Sequence, residues 1–304
     1  GIAMEKIGFI GLGIMGRPMA RNLLKAGFEL VFHARRTEVV AEMEAAGGKA
    51  APSSKAVAET ADIVITIVTA DAQVREVILG PDGVLAGSRP GSLIVDMSTI
   101  SPLTIREIAG EAAGRQVAVI DAPVSGGDTG AEAGTLTIIA GGQPEDVERC
   151  RPLFEAIGKQ ESIFHVGPLG AGQTVKLVNQ VIGGVNMAMI AEGLCLGVKA
   201  GVDPEIMRQV ISVSSGNSGL FEARVADFIL ANRFQPGFML DLMKKDVGLA
   251  VDLGKELDLP MPIGAAAYQM YAMASALGAG EEDFSAVCRA AQHASGVQIA
   301  EEGQ

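Results

Sequence analysis

The chain has no tryptophan, two tyrosines, three cysteines and three histidines among 304 residues. Cys150, Cys195 and Cys288 are far apart and form no Cys-x-x-Cys pair. That spacing excludes a disulfide framework or a cysteine zinc cluster and fits a reducing compartment. His33, His165 and His293 are equally scattered, so no protein metal site is expected. Basic charge is also scarce, with 24 Lys and Arg against 36 Asp and Glu and a net charge of −12. No dense Lys/Arg run offsets that balance, and nucleic acid is not an expected partner.

Long apolar runs are missing as well. The longest uncharged helical stretch, between Lys176 and Glu192, is interrupted by Asn179, Gln180 and Asn186. It is expected to fall short of the roughly 20 apolar residues of a membrane span, so no membrane is expected as a partner. Gly1-Ile2-Ala3 precedes Met4, the expected natural start, and the chain then enters a strand pattern with no signal-peptide pattern. A cytoplasmic enzyme is the expectation.

What is present is apolar bulk and glycine: 48% hydrophobic residues and 39 Gly, enough for a full core in about two domains. Strand patterns at Lys6–Ile10, Leu30–His33, Ile63–Val68, Leu93–Asp96, Ala118–Asp121 and Thr135–Ala140 alternate with helical spacing, as in Arg17–Ala26 and Glu38–Ala46. Alternation of this kind predicts an α/β fold with a doubly wound, mostly parallel sheet. After Gly167 the strand signals stop. Helical patterns follow from about Gln173 to Ala200, Pro204 to Ser214, Phe221 to Ala231 and Leu240 to Leu257. The expected domains are 4–167, binding a dinucleotide, and 168–304, all-helical.

Gly11-Leu12-Gly13-Ile14-Met15-Gly16 follows the first strand and opens a helix. Glycines at this spacing allow a tight turn, close approach of backbone to a pyrophosphate, and close helix–strand packing. The free N–H groups of the helix end suit phosphate. At the end of the second strand stands His33-Ala34-Arg35-Arg36-Thr37, without the carboxylate that binds the ribose 2′-hydroxyl of NAD. Two guanidiniums there suit a 2′-phosphate. NADP(H) is therefore the preferred cofactor, with NAD(H) possible. Val68, Thr69 and Thr99, at two further strand ends, are expected to face the cofactor.

In Asp121-Ala122-Pro123-Val124-Ser125-Gly126-Gly127, the Ser125 hydroxyl and the backbone of Gly126 and Gly127 suit a substrate carboxylate; a flexible hinge is the alternative. On a helix, Lys176, Asn179, Gln180 and Gly183 form one polar stripe, with Val175, Val178, Ile182 and Val185 on other faces. An ammonium and two amides among apolar neighbours are costly unless they face a cavity or a partner. Hydride addition to a carbonyl builds negative charge on oxygen, and a Lys ammonium can polarise that oxygen and protonate it. Lys244-Lys245-Asp246 reads by itself as an ordinary charged helix end.

Taken together, these motifs make the chain resemble the β-hydroxyacid dehydrogenase family from Ile7 to about Gly280. Residues 11–23 are similar to its dinucleotide signature, 121–127 to its substrate loop, 170–180 to its catalytic helix and Lys245-Asp246 to its fourth motif. The resemblance implies a Rossmann domain followed by an all-α domain, and a homodimer or homotetramer assembled through the helical domains. It also implies Lys176 as the catalytic lysine and Lys245 on the cofactor side. Asn179 and Gln180 both stand as candidates for the orienting amide.

Lys176-Leu177-Val178-Asn179-Gln180 and Phe234, Pro236, Gly237 and Phe238 resemble the tartronate semialdehyde reductase branch. That branch interconverts 2-hydroxy-3-oxopropionate and D-glycerate. Reductases of glyoxylate or succinic semialdehyde and dehydrogenases of 3-hydroxyisobutyrate are alternatives within the family. A catalytically inactive NADP-binding interaction module is the rival of another class; a proton donor at 176 speaks against it. Imine reduction on the same scaffold is disfavoured, because an acid or tyrosine is commoner at that position there.

Overall fold

The computed structural model describes Met4–Glu301; Gly1–Ala3, which precede the expected start, lie outside the described residues. Two compact units divide between Lys176 and Leu177.

The first unit is a nine-stranded sheet with helices. Its strands are β1 (Ile7–Ile10), β2 (Leu30–His33), β3 (Lys49–Ala50), β4 (Ile63–Thr66), β5 (Leu93–Asp96), β6 (Ala118–Asp121), β7 (Val124–Ser125), β8 (Leu136–Gly141) and β9 (Gly158–Gly167). The helices α1 (Gly16–Lys25), α2 (Thr37–Ala45), α3 (Ser54–Thr60), α4 (Asp71–Leu79), α5 (Val84–Gly87), α6 (Pro102–Ala113), α7 (Gly127–Ala133) and α8 (Pro144–Ile157) lie between them in sequence. The order is β3-β2-β1-β4-β5-β6-β8-β7, with β9 on β8. The ladders from β3 to β6 are parallel; β8 runs antiparallel to β6 and β7 and parallel to β9. β1 has β2 on one side and β4 on the other, which makes its carboxyl end a topological switch point, where open α/β sheets bind ligands.

β1, β4 and β5 are buried along their whole length, because helices cover both faces of a parallel sheet. The period-2 geometry of strands then splits each one between two cores. Ile7, Phe9, Ile63, Ile65, Leu93 and Val95 join one cluster, and Ile10, Val64 and Ile94 join the other.

β9 falls where no strand was expected. Most of its side chains are exposed or half-buried, so the sequence carries no apolar alternation there. β3 and β7 are two residues each, too short to show a period.

The second unit, from Leu177, is helical. It contains most of α9 (Ala171–Lys199), α10 (Pro204–Ser212), α11 (Gly219–Arg224), α12 (Leu240–Glu256), α13 (Pro262–Ala274) and α14 (Cys288–Ser295). The single helix expected at 221–231 is instead α11 followed by a π-helical turn over Val225–Leu230. Met187, Leu194, Phe221, Val247, Tyr271 and Phe284 lie in its core. Tyr271, fully buried, donates its hydroxyl to the Gly184 carbonyl at 2.8 Å, so the buried polar atom is satisfied.

α9 corrects one expectation. Its 29 residues span about 44 Å at 1.5 Å per residue, and its apolar window reaches a mean hydropathy of 1.7. By length and composition it is therefore long and apolar enough to cross a membrane, because small residues and amides interrupt it without adding charge. In the helical unit that apolarity is used for packing: Met187, Ala188, Ile190, Ala191 and Leu194 lie in the core.

Candidate active site

The turn after β1 shows what each glycine is for. A Cβ on Gly11, where φ is +102°, would stand 1.9 Å from the Ile67 carbonyl oxygen, and one on Gly16 would stand 1.8 Å from that of Gly11. Both positions require glycine for the chain to pass. Around Gly13 nothing lies within 4 Å, so its bare backbone faces open space that a ligand could approach. Ile14 is exposed, Met15 half-buried and Leu12 buried. The first turn of α1 carries no acidic side chain, leaving the positive end of the helix dipole for an anion.

Beside this turn lies a cavity of about 650 Å³, lined by Gly11, Leu12, His33, Arg35, Arg36 and Val68 among others. A dinucleotide fits this donor set: backbone amides at a helix start and two exposed guanidiniums at the end of β2. Arg36 lies 3.6 Å from Glu38, a surface pair that holds it weakly. Thr69 and Thr99 do not line the cavity. The backbone N–H of Thr69 bonds the Gln73 Oε1 at 2.9 Å.

Between β4 and β5 lies a group not expected from the sequence. Asp96 is fully buried, and its Oδ1 accepts from Thr66 Oγ1 at 2.8 Å and Ser98 Oγ at 2.9 Å. Ser98 Oγ in turn accepts from the Val68 N–H at 2.9 Å. Oδ2 has no partner among the described residues. Burial pushes the carboxyl up to about 7 against the two hydroxyl hydrogen bonds that lower it. The only sequence signal is an Asp ending an otherwise apolar strand.

Ser125 ends β7, half-buried, and Gly126 and Gly127 follow with φ of +136° and +64°. Successive amides in such left-handed geometry can form an anion-binding concavity. Lys176 lies on α9 with only 7% of its surface exposed. Val175, Val178 and Ile182 of the same stretch are exposed, by 42%, 52% and 64%, whereas Val181 and Val185 are half-buried against the helical core. The polar stripe is thus the inner face of the helix at Lys176 and Gln180, both buried, whereas Asn179 is exposed and Gly183 half-buried. A lysine buried on the same side of the helix as Leu177 and Gln180, while Val175, Val178 and Ile182 stay exposed, is placed for something other than a water-facing charge.

In the helical unit a chain of bonds joins α9 to α12. Asn179 Nδ2 donates to Gln180 Oε1 at 3.0 Å, and Gln180 Nε2 donates to Asp246 Oδ2 at 2.9 Å. Lys245 Nζ lies 3.0 Å from Asp246 Oδ1. Asp246 is 2% exposed and is the residue that unites Asn179, Gln180 and Lys245; its place beside Lys245 was read in the sequence, but not this role. The Phe234–Phe238 loop is held by another buried carboxylate, Asp283, whose Oδ1 accepts from the Gly237 and Phe238 N–H groups at 3.1 and 3.0 Å. Burial pushes up the thiols of Cys150, Cys195 and Cys288, all free, which leaves them poor nucleophiles.

Two family models match the chain, one after the other. Residues 6–167 match the model of the NAD-binding domain of 6-phosphogluconate dehydrogenase. Residues 170–291 match that described as NAD-binding of NADP-dependent 3-hydroxyisobutyrate dehydrogenase. The chain is 45% identical to the 2-(hydroxymethyl)glutarate dehydrogenase of Eubacterium barkeri, over 97% of each chain. It is 39% identical to the 2-hydroxy-3-oxopropionate reductase of Escherichia coli, over 94% of this chain and 96% of that one. The solved Mycobacterium tuberculosis 3-hydroxyisobutyrate dehydrogenase with L-serine superposes with a TM-score of 0.84 at 34% identity, covering 94% of this chain and 99% of that one. Similarity of this extent, with both domains matched in order, places the chain in the β-hydroxyacid dehydrogenase family, NAD(P)-dependent oxidoreductases of small hydroxy acids.

Proposed function

We propose that this protein reduces tartronate semialdehyde to D-glycerate with NADPH, Lys176 donating the proton. The observation that carries the reading is Lys176, only 7% exposed, beside the exposed Val175 and Val178 on the same helix. Gly11 to Gly16 hold the pyrophosphate, Arg35 and Arg36 hold the 2′-phosphate, and Val68, which lines the same cavity, completes the contacts. When bound, the reduced nicotinamide supplies a hydride. Ser125, Gly126 and Gly127 take the substrate carboxylate. Lys176 Nζ polarises the aldehyde oxygen and protonates it as its charge develops. Asn179 and Gln180 orient the reacting groups, the second held by Asp246. A homodimer or homotetramer is part of the reading, and a monomer in sedimentation would reject that part.

A second reading is favoured by the 45% identity to 2-(hydroxymethyl)glutarate dehydrogenase: the same chemistry on a longer dicarboxylate. The test is cofactor oxidation with tartronate semialdehyde, glyoxylate, succinic semialdehyde and the aldehyde of 2-(hydroxymethyl)glutarate, each with both cofactors. Highest kcat/KM for tartronate semialdehyde with NADPH supports the first reading. Preference for the glutarate aldehyde replaces it with the second, and no turnover of any aldehyde rejects both.

A further inference from the structure

The start of α9 is capped from outside its own sequence. Gly170, the residue before the helix, has no side chain to accept the free amides of the first turn. Asp121, the last residue of β6 and fully buried, does so instead. Its Oδ1 accepts from the Gly170 N–H and its Oδ2 from the Gln173 N–H, both at 2.8 Å. In an ordinary capping box the side chain at the cap takes the amide three residues on, and the Glu or Gln there reaches back to the cap amide. Here one carboxylate performs both tasks.

Gln173 is thereby released from the helix end. Fully buried, it spans to the loop after β5, where its Oε1 accepts from the Ile100 N–H at 3.0 Å and its Nε2 donates to the Ser98 carbonyl at 2.7 Å. Two glycines make room for the arrangement. A Cβ on Gly141 would stand 2.6 Å from Asp121 Oδ1, and one on Gly172 would stand 2.9 Å from Oδ2 and 2.3 Å from the Ile139 carbonyl oxygen.

Gln173 and Lys176 are three positions apart, so they share one side of α9. We infer that Asp121 and Gln173 are positioning residues that fix the axial start and rotational phase of the Lys176 helix against the Ser98–Ile100 strand end. Asp121 sets where the helix begins; Gln173 sets which way it faces. A Lys Nζ about 8 Å from a helix axis moves about 1.5 Å for a 10° rotation, and misplacement of about 1 Å can cost a rate about 10²-fold. The inference rests on the proton-donor role proposed for Lys176.

The test compares Asp121→Asn, Gln173→Met and Gln173→Glu with Lys176→Ala. Asn keeps one acceptor but replaces the other with a donor facing an amide. Met fills the space without either bond. Expected are faster amide hydrogen exchange over residues 170–176 and a fall in kcat of about 10- to 100-fold. Gln173→Glu restores both bonds only when protonated, so its kcat relative to wild type falls as pH rises, whereas Gln173→Met is low at every pH.

Wild-type exchange and kcat in the Asp121 and Gln173 variants overturn the positioning role while leaving Lys176 untouched. Retained turnover in Lys176→Ala overturns the proton-donor reading, and the exchange data still decide whether the two residues hold the helix. If Asp121→Asn does not fold, Gln173→Met, which leaves the cap intact, carries the test.

Discussion

In the sheet unit the turn from Gly11 to Gly16 and the pair Arg35 and Arg36 come from short contiguous segments, and only the backbone path between them must be right. In the helical unit Gln180 meets Asp246 across 66 positions of sequence, so nothing local dictates the contact. The difference teaches where each half is vulnerable. The first depends on backbone clearance at single glycines; the second depends on the packing that brings α12 to α9.

The largest effect is expected where backbone clearance is smallest. Gly16→Ala places a Cβ 1.8 Å from a carbonyl oxygen, and the turn must open. A loss of more than about 4 kcal/mol is expected, visible as unfolding or a collapsed melting transition. Gly13→Ala is the internal contrast: with nothing within 4 Å it should leave the melting temperature of the free protein unchanged while weakening dinucleotide binding. Equal destabilisation by both substitutions would remove the distinction between packing and ligand-facing glycines.

In the helical unit, Asp246→Ala leaves a buried amide and a nearby ammonium without their shared acceptor. A loss of about 2–4 kcal/mol in denaturant unfolding is expected. A change within about 0.5 kcal/mol would show that this cluster is not held as described.

Asp96 sharpens the contrast through pH. Burial raises its carboxyl from 3.8 to about 7, so between those values the native state keeps a proton that the unfolded chain has released. Stability therefore falls as pH rises from about 4 to about 7, and the contribution is flat above that. Asp96→Asn should remove this slope and gain about 1–3 kcal/mol at pH 8, with little change at pH 4. An unchanged slope in the variant would mean that another group is responsible.

The smallest effect is at the surface. Arg36→Ala should raise the KM for NADPH by about tenfold and leave that for NADH nearly unchanged. Equal changes for both would withdraw the 2′-phosphate role.

The same contrast explains what could be read from sequence. β1, β2, β5 and β6 are close to where apolar runs place them, because a parallel sheet covered on both faces needs such runs. β9 escaped because its exposed side chains carry no pattern. The glycine turn was legible as a contiguous motif in its strand–turn–helix setting. Lys176 was legible as a charge among apolar neighbours on a stripe expected to face a cavity or a partner, although the exposure of Asn179 on that stripe was not. The joining role of Asp246 and the places of Asp96 and Gln173 were not legible, since their bonding partners, apart from Ser98 beside Asp96 and Lys245 beside Asp246, are 30 to 75 residues away.

The most direct measurement is the single-turnover rate of NADPH oxidation by Lys176→Met, paired with its dinucleotide Kd. Methionine is of comparable length and carries no proton to give. A fall of about 10²- to 10⁴-fold with Kd unchanged is the result expected of a general acid at 176. A rate near wild type, with the cofactor still bound, would contradict it.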